Sequence, residues 1–151
     1  MMFNHLLICK AGINSNPACS RPTYGKKHRV PAGTLVSIID DDQSMLSALV
    51  SLVRSAGYDA RGFTSAEEFL GCGMVPSSAC IITDVQMPGM SGIELKQHLA
   101  ACRFSTPVIM ITARHDPGLE ERALAGGAVC FLLKPFAGDT LIGCIERALK
   151  T

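Results

Sequence analysis

The feature that most constrains the fold of this chain is a fivefold alternation of short apolar runs with segments of helical periodicity. Each run has the length of a β-strand, and the segment after it repeats its apolar residues at helical spacing. Strands that are apolar throughout, alternating with helices, predict a parallel sheet covered on both faces. The runs span residues 34–39, 58–63, 79–83, 107–112 and 128–133, and the helical patterns span about 43–56, 65–72, 92–102, 117–127 and 138–150.

Chemically distinctive residues fall at the ends of the predicted strands. In such sheets, ligands bind beyond the carboxyl ends of the strands, where the strand order reverses. Taken singly, each residue has a structural explanation, since an aspartate can cap a helix, a threonine favours strands and a lysine is usually solvated. Their joint arrangement is harder to explain that way. The residues that meet at this edge are Asp40, Asp41, Asp84, Thr112 and Lys134, the last followed by Pro135.

Three carboxylates at one sheet edge indicate a site for a cation. The carboxylates repel, so they must be protonated, separated or neutralised. Lys134 supplies one positive charge, and Mg²⁺ suits the remainder because it binds one or two carboxylates together with water and phosphate oxygens. A carboxylate nucleophile, a metal and fixed hydroxyl or cationic donors are the groups that phosphoryl transfer requires. The pattern therefore predicts phosphate chemistry.

From about Leu35 to Lys150, the chain resembles the response-regulator receiver domains of bacterial two-component signalling. The Thr-Ala strand end, the MPGMSG loop and the KPF ending are most similar to receivers of the FixJ type. This resemblance implies a flavodoxin-like (CheY-like), doubly wound α/β fold with a five-stranded parallel sheet in the order 2-1-3-4-5. The matching segments occur in family order and are IIDDD at 38–42, TDVQMPGMSGIEL at 83–95, PVIMITA at 107–113 and FLLKPF at 131–136.

The resemblance also implies a division of roles within the site. Asp84 would accept a phosphoryl group from a sensor histidine kinase or a histidine phosphotransfer protein. Asp40 and Asp41 would hold Mg²⁺ together with Asp84, with Asp41 as the direct ligand and Asp40 acting partly through water. The backbone carbonyl of Gln86 would complete the protein ligands.

A second group of residues is expected to transmit the signal. Thr112 would bind a phosphoryl oxygen on modified Asp84, and Lys134 would pair with both. Phe131 occupies the aromatic switch position, which is more often tyrosine, and a cis peptide is expected before Pro135. The surface of the fourth helix and fifth strand would then change shape for a downstream protein partner, and a homodimer through this surface is a further option.

Neighbouring residues receive structural or modulating interpretations. Asp42 directly precedes the first predicted helix, so we interpret it as a cap rather than a metal ligand. Ser65 and Glu68 fit the S-x-x-E pattern of a capping box at the start of the second predicted helix. Gln86 and Arg114 flank the site and are expected to tune the loss of the phosphoryl group, or else to be ordinary surface side chains. His98 and His115 have no partner at metal-ligand spacing and are interpreted as exposed.

Charge and cysteine content indicate the domain organisation, the class of partner and the compartment. Residues 1–33 carry five bases and no acid, and are expected to form a poorly ordered basic extension ahead of a receiver domain at 34–151. The rest has nine bases against 13 acids, so direct nucleic-acid binding is not expected. Seven cysteines without a zinc pattern indicate a reducing cytoplasm, and Cys80 and Cys130 fit as small core residues. No run has transmembrane length.

Two alternative functions are weighed against the receiver. An aspartate-based, Mg²⁺-dependent phosphohydrolase usually has a second aspartate two residues after the nucleophile, where this chain has Gln86. A receiver that signals without phosphorylation would not need the complete set of acidic, hydroxyl and lysine residues. Because the last predicted helix ends close to Thr151, we expect no output domain in this chain, which would then be a stand-alone receiver, a phosphorelay intermediate or one piece of a longer protein. No enzymatic turnover is expected beyond its own phosphorylation and dephosphorylation.

Overall fold

Five strands and five helices alternate along residues 30–150, the part of the chain that the computed structural model describes. Each predicted strand and helix is present, and no end differs from its prediction by more than two residues. Of the predicted extension, residues 1–29 lie outside the described part. The elements are β1 Leu35–Ile39, α1 Gln43–Ser55, β2 Asp59–Phe63, α2 Ala66–Gly71, β3 Cys80–Asp84, α3 Gly92–Ala101, β4 Val108–Thr112, α4 Pro117–Ala125, β5 Cys130–Leu133 and α5 Gly138–Leu149.

The strands form one parallel sheet in the order β2-β1-β3-β4-β5. This confirms the expected flavodoxin-like topology. The strand order reverses at β1, which pairs with β2 on one side and with β3 on the other. The carboxyl ends of β1 and β3 therefore border the crevice in which doubly wound folds bind ligands.

The core consists of two apolar clusters, one on each face of the sheet. Helices α1 and α5 cover the first face with residues such as Leu49 and Ile145, while α2, α3 and α4 cover the second. Every residue of β3 and β4 is buried. Since both faces are covered, these central strands are apolar along their length rather than alternating.

Helix capping follows the sequence prediction at α1 but only in part at α2. Asp42 accepts hydrogen bonds from the amides of Ser44 and Met45, which confirms its predicted role as a cap. Ser65 accepts from the Glu68 amide, but the Glu68 carboxylate turns to Thr64 instead of the Ser65 amide. The capping box predicted here is therefore only half formed, because Thr64 offers both an amide and a hydroxyl to that carboxylate.

Buried cysteines complete the first cluster. Cys80, Cys130 and Cys144 are buried free thiols, which confirms the packing role predicted for the first two. Val30 also packs against this cluster, so the contacts of the domain core begin a few residues before Thr34.

No helix within residues 30–150 could cross a bilayer core, since each falls short of the length and apolar character that a span requires.

Candidate functional site

The sheet register places the predicted site residues side by side. Ile39 and Thr83 form the last residue pair between β1 and β3, and Asp40 and Asp84 directly follow them. The Lys134 amide donates to the Thr112 carbonyl at 2.8 Å, which sets the end of β5 against the end of β4. The four strand ends therefore converge on one edge of the sheet, as the sequence predicted.

One lysine bridges two of the three carboxylates. Lys134 Nζ lies 2.9 Å from Asp40 Oδ2 and 3.3 Å from Asp84 Oδ2. Asp40 is fully buried, whereas Asp41 is exposed. One carboxylate oxygen from each of the three aspartates lies within 4.8 Å of the other two. Two negative charges remain after Lys134 is counted, so the cluster has the composition of a cation site.

Backbone amides orient the three polar side chains from within their own loops. Asp40 Oδ1 accepts a hydrogen bond from the Asp42 amide at 2.9 Å, and Asp84 Oδ1 accepts one from the Gln86 amide at 3.2 Å. Thr112 Oγ1 likewise accepts one from the Arg114 amide at 3.2 Å. Each bond joins a strand-end side chain to the amide two residues later, which is the geometry of Asx and ST turns.

The electrostatic environment raises the pKa of Asp84. Burial is the main cause because it disfavours the charged form, and the nearby Asp40 charge acts in the same direction. The Lys134 ammonium and the Gln86 amide oppose this shift without cancelling it. An ionised Asp84 is thus not fully neutralised by the protein's own groups, and additional positive charge would stabilise it.

The pKa of Lys134 is also raised, by its partners. Burial alone would lower it, but the hydrogen bond to Asp40 and the charges of Asp84 and Asp40 outweigh that effect. Lys134 therefore stays protonated at neutral pH and remains a fixed cation in the site. The peptide bond between Lys134 and Pro135 is cis, as predicted.

The remaining predicted residues occupy positions around this cluster. Thr112 is buried, and Phe131 is partly buried against the second apolar cluster. Gln86 and Arg114 are exposed at the rim of the site, and the tuning role given to them stays a prediction. His98 and His115 are exposed, as expected, but His98 Nε2 lies 3.7 Å from Cys102 Sγ, so the expectation that His98 has no partner is wrong.

Sequence reasoning missed two residues that shape the loop after Asp84. Glu67 on α2 accepts a hydrogen bond from the Met90 amide at 2.9 Å and so ties this loop to a neighbouring helix. Gly92 begins α3 where a Cβ atom would lie 2.5 Å from the carbonyl oxygen of Asp84. Gly92, the last residue of the MPGMSG segment, could have indicated this close approach. No local sequence pattern marks Glu67, whose partner is 23 residues away.

Replacing Gly92 with alanine is expected to destabilise the protein by roughly 1 to 3 kcal/mol, the usual cost of overpacking. The atoms in the way are backbone atoms of Asp84 and Val85, which cannot rotate aside as a side chain could. Gly143→Ala is the matched control, because that helix position has open space around it. It should stabilise the protein by about 0.5 to 1 kcal/mol. Urea denaturation of both variants would test this, and equal effects would contradict it.

Comparison with known proteins identifies the family. The model for the response regulator receiver domain matches residues 36–146. Response regulator protein TmoT of Ectopseudomonas mendocina is 38% identical over 126 residues, which make up 83% of this chain and 57% of that protein. Transcriptional regulatory protein FixJ of Bradyrhizobium diazoefficiens is 38% identical over 115 residues, or 76% of this chain and 56% of that protein. The chain thus spans little more than half the length of these relatives.

Solved structures agree with the sequence relatives. The crystal structure of FixJ-N matches with a TM-score of 0.71 and 34% identity, covering 78% of this chain and 94% of that one. The chemotaxis protein CheY4 of Vibrio cholerae matches with a TM-score of 0.70 and 30% identity, covering 78% of this chain and 100% of that one. The resemblance to FixJ-type receivers is confirmed, and the chain belongs to the family of response regulator receiver domains of two-component signalling.

Proposed function

We propose that this chain is a phosphorylation-controlled receiver in which Asp84 accepts a phosphoryl group from a histidine kinase or a histidine phosphotransfer protein. A carboxylate oxygen of Asp84 would form the new P–O bond as the P–N bond of the phosphohistidine breaks. The imidazole would leave with that electron pair and take up a proton. The observation that carries the proposal is the position of Asp84, which lies 3.3 Å from Lys134 Nζ within a cluster of three carboxylates.

Mg²⁺ is the cofactor that best fits this cluster. Oxygens on one Mg²⁺ ion lie about 3 Å apart when adjacent and about 4 Å apart when opposite, given bonds near 2.1 Å. The three carboxylate oxygens lie within 4.8 Å of one another, so each is near enough to bind one ion directly or through water. The ligands would be Asp40, Asp41, Asp84 and the Gln86 carbonyl. When bound, Mg²⁺ would neutralise charge on the carboxylates and the phosphoryl oxygens.

Thr112 and Lys134 would hold the modified side chain. A phosphoryl group adds roughly 1.5 to 2 negative charges at neutral pH, if an acyl phosphate resembles other phosphoresidues. Lys134 already contacts the Asp84 carboxylate, and Thr112 Oγ1 has a donor hydrogen to direct at a phosphoryl oxygen while it accepts from the Arg114 amide. Charge-assisted hydrogen bonds of about 1.5 to 3 kcal/mol each would favour the phosphorylated arrangement.

The signal would leave through α4 and β5. Movement of Thr112 would open space for Phe131, whose ring already contacts the second apolar cluster from β5. A nearly complete switch needs about 5.5 kcal/mol of differential stabilisation, which a few such hydrogen bonds can supply. The changed surface would bind a downstream protein or a second copy of the chain. We assign the chain to the cytoplasm, whose reducing environment suits seven cysteines without a zinc pattern.

Incubation with Mg²⁺ and acetyl phosphate tests the proposal without a known kinase. Intact mass should rise by one phosphoryl group per chain, and a chelator of Mg²⁺ should prevent the rise. An unmodified mass in saturating Mg²⁺ would contradict the assignment. Repeated release of phosphate from a small phosphate ester would instead favour the phosphohydrolase, for which Gln86 lacks the acidic proton that a general acid supplies.

A further inference from the structure

An imidazole and a thiol face each other at the carboxyl end of α3. His98 Nε2 lies 3.7 Å from Cys102 Sγ, and both side chains are exposed. The two residues are four apart, so they project from the same side of the helix. Gly92, at the opposite end of α3, is the position where a Cβ atom would meet the Asp84 carbonyl. At about 1.5 Å per residue, His98 and Cys102 lie roughly 9 and 15 Å along the helix from that end.

The distance between the two atoms matches a tetrahedral metal site. Zinc binds cysteine sulfur at about 2.3 Å and histidine nitrogen at about 2.0 to 2.1 Å. At the tetrahedral angle, these bonds place sulfur and nitrogen about 3.5 Å apart. The observed 3.7 Å differs from this by little, so a metal ion could bridge His98 and Cys102 without a change in the helix.

The end of the helix provides a favourable potential for a cation. Cys102 is the C-cap of α3, where the terminal carbonyls carry partial negative charge. The Cys102 amide bonds to the carbonyls of Ala100 and His98, which fixes the backbone that carries both ligands. Thiolate and imidazole ligands also select thiophilic or borderline metals over Mg²⁺, which prefers oxygen. The two ends of α3 thus suit different classes of metal.

We propose that His98 and Cys102 form a surface site for a thiophilic or borderline divalent cation of the Zn²⁺ and Cd²⁺ class. Binding releases one proton, because the neutral thiol becomes a thiolate bound to the metal. The imidazole binds through Nε2 in its neutral form, and water holds the two remaining tetrahedral positions. This site does not depend on phosphorylation of Asp84.

Titration of the full chain with Cd²⁺ tests the site, because a cadmium–thiolate bond absorbs in the ultraviolet. The titration is run with reducing agent removed and with saturating Mg²⁺, which occupies the acidic cluster. Cys9 and Cys19 lie outside the described residues and can add absorbance, so the difference between wild type and variants carries the result. At saturation, wild type should show the absorbance of one more cadmium–thiolate bond per chain than Cys102→Ser. His98→Gln should weaken Cd²⁺ binding at least tenfold.

Cys72→Ser is the matched control. Cys72 is also an exposed helix C-cap, but Glu68 stands four residues before it and bonds to Thr64. This variant should retain the Cys102 band. Cys102→His should keep Zn²⁺ binding through two imidazoles while losing the band. Equal Cd²⁺ titrations of wild type, Cys102→Ser and His98→Gln would overturn the proposal, as would loss of the band in Cys72→Ser alone.

Discussion

Replacement of Asp84 with asparagine is expected to abolish phosphoryl incorporation from acetyl phosphate while the fold is retained. The amide has nearly the shape of the carboxylate, but its oxygen is not an anionic nucleophile and it brings no charge to the metal site. Intact mass in the presence of Mg²⁺ measures the outcome. Asp59→Asn is the matched control, because Asp59 is exposed at the start of β2, on the opposite edge of the sheet. It should be phosphorylated like wild type.

The same variant has a second expected signature, in the pH dependence of stability. Because the pKa of Asp84 is raised above 3.8, the folded protein binds this proton more tightly than the unfolded chain. The contribution of Asp84 to the stability of wild type therefore falls as pH rises from about 3.8 through the folded pKa, and Asp84→Asn avoids that loss. The variant should be more stable than wild type at neutral pH in chelator, and the difference should vanish well below pH 3.8.

Two results would test separately the role of Asp84 as phosphoacceptor and the effect of its carboxyl group on stability. If Asp84→Asn is phosphorylated as strongly as wild type, Asp84 is not the acceptor, and the proposed function fails. If its stability advantage is independent of pH, the gain does not come from the carboxyl group. Urea unfolding at several pH values, with and without Mg²⁺, measures the second quantity. Mg²⁺ should stabilise wild type more than the variant, because the variant has lost one anionic ligand.

Replacement of Lys134 with methionine is expected to destabilise the protein by about 2 to 3 kcal/mol in the absence of Mg²⁺. The change keeps the side-chain stem but leaves the fully buried Asp40 without its ammonium partner. This expected loss of stability is smaller than for a fully buried ion pair because the Lys134 side chain is 16% exposed. The lysine contribution should hold below pH 10.5 and disappear as pH rises through the raised folded pKa.

Lys150→Met is the matched control for this loss, since Lys150 is exposed at the end of α5. Its expected effect is a few tenths of a kcal/mol, from the helix dipole alone. A double-mutant cycle with Asp40→Asn isolates the pair, and a coupling energy near zero would show that Lys134 and Asp40 do not stabilise each other. Saturating Mg²⁺ should reduce the destabilisation by Lys134→Met, because both cations neutralise the same carboxylates.

Much of the fold was predictable because local pattern and topology agree. The buried central strands are uninterrupted apolar runs, and Gly57, with a φ of 97°, ends the first helix where the sequence placed the stop. The strand ends identified the site residues, because parallel strands put their carboxyl ends on one edge. A periodic pattern was therefore enough to bring Asp40, Asp84 and Lys134 together.

The sequence pattern did not predict which of several possible hydrogen-bond or contact partners a side chain would take. Glu68 could bond to Ser65 or to Thr64, and the pattern alone favoured Ser65 although the carboxylate bonds to Thr64. The complete capping box instead lies at Ser91 and Glu94, at the start of the helix predicted from residue 92, where the sequence pattern was not interpreted as a cap. The contact between His98 and Cys102 was also missed, since both were considered singly rather than as neighbours on one helix face.

The hydrogen bonds that backbone amides donate at the three strand ends affect how a chemical change in the site is transmitted. Asp40, Asp84 and Thr112 are each held by the main chain of the loop that follows them. A change of charge on Asp40 or Asp84, or of hydrogen bonding at Thr112, therefore acts on the following loop through one hydrogen bond. The loops are mechanically coupled to the chemistry, so the most immediate response to it is a displacement of backbone.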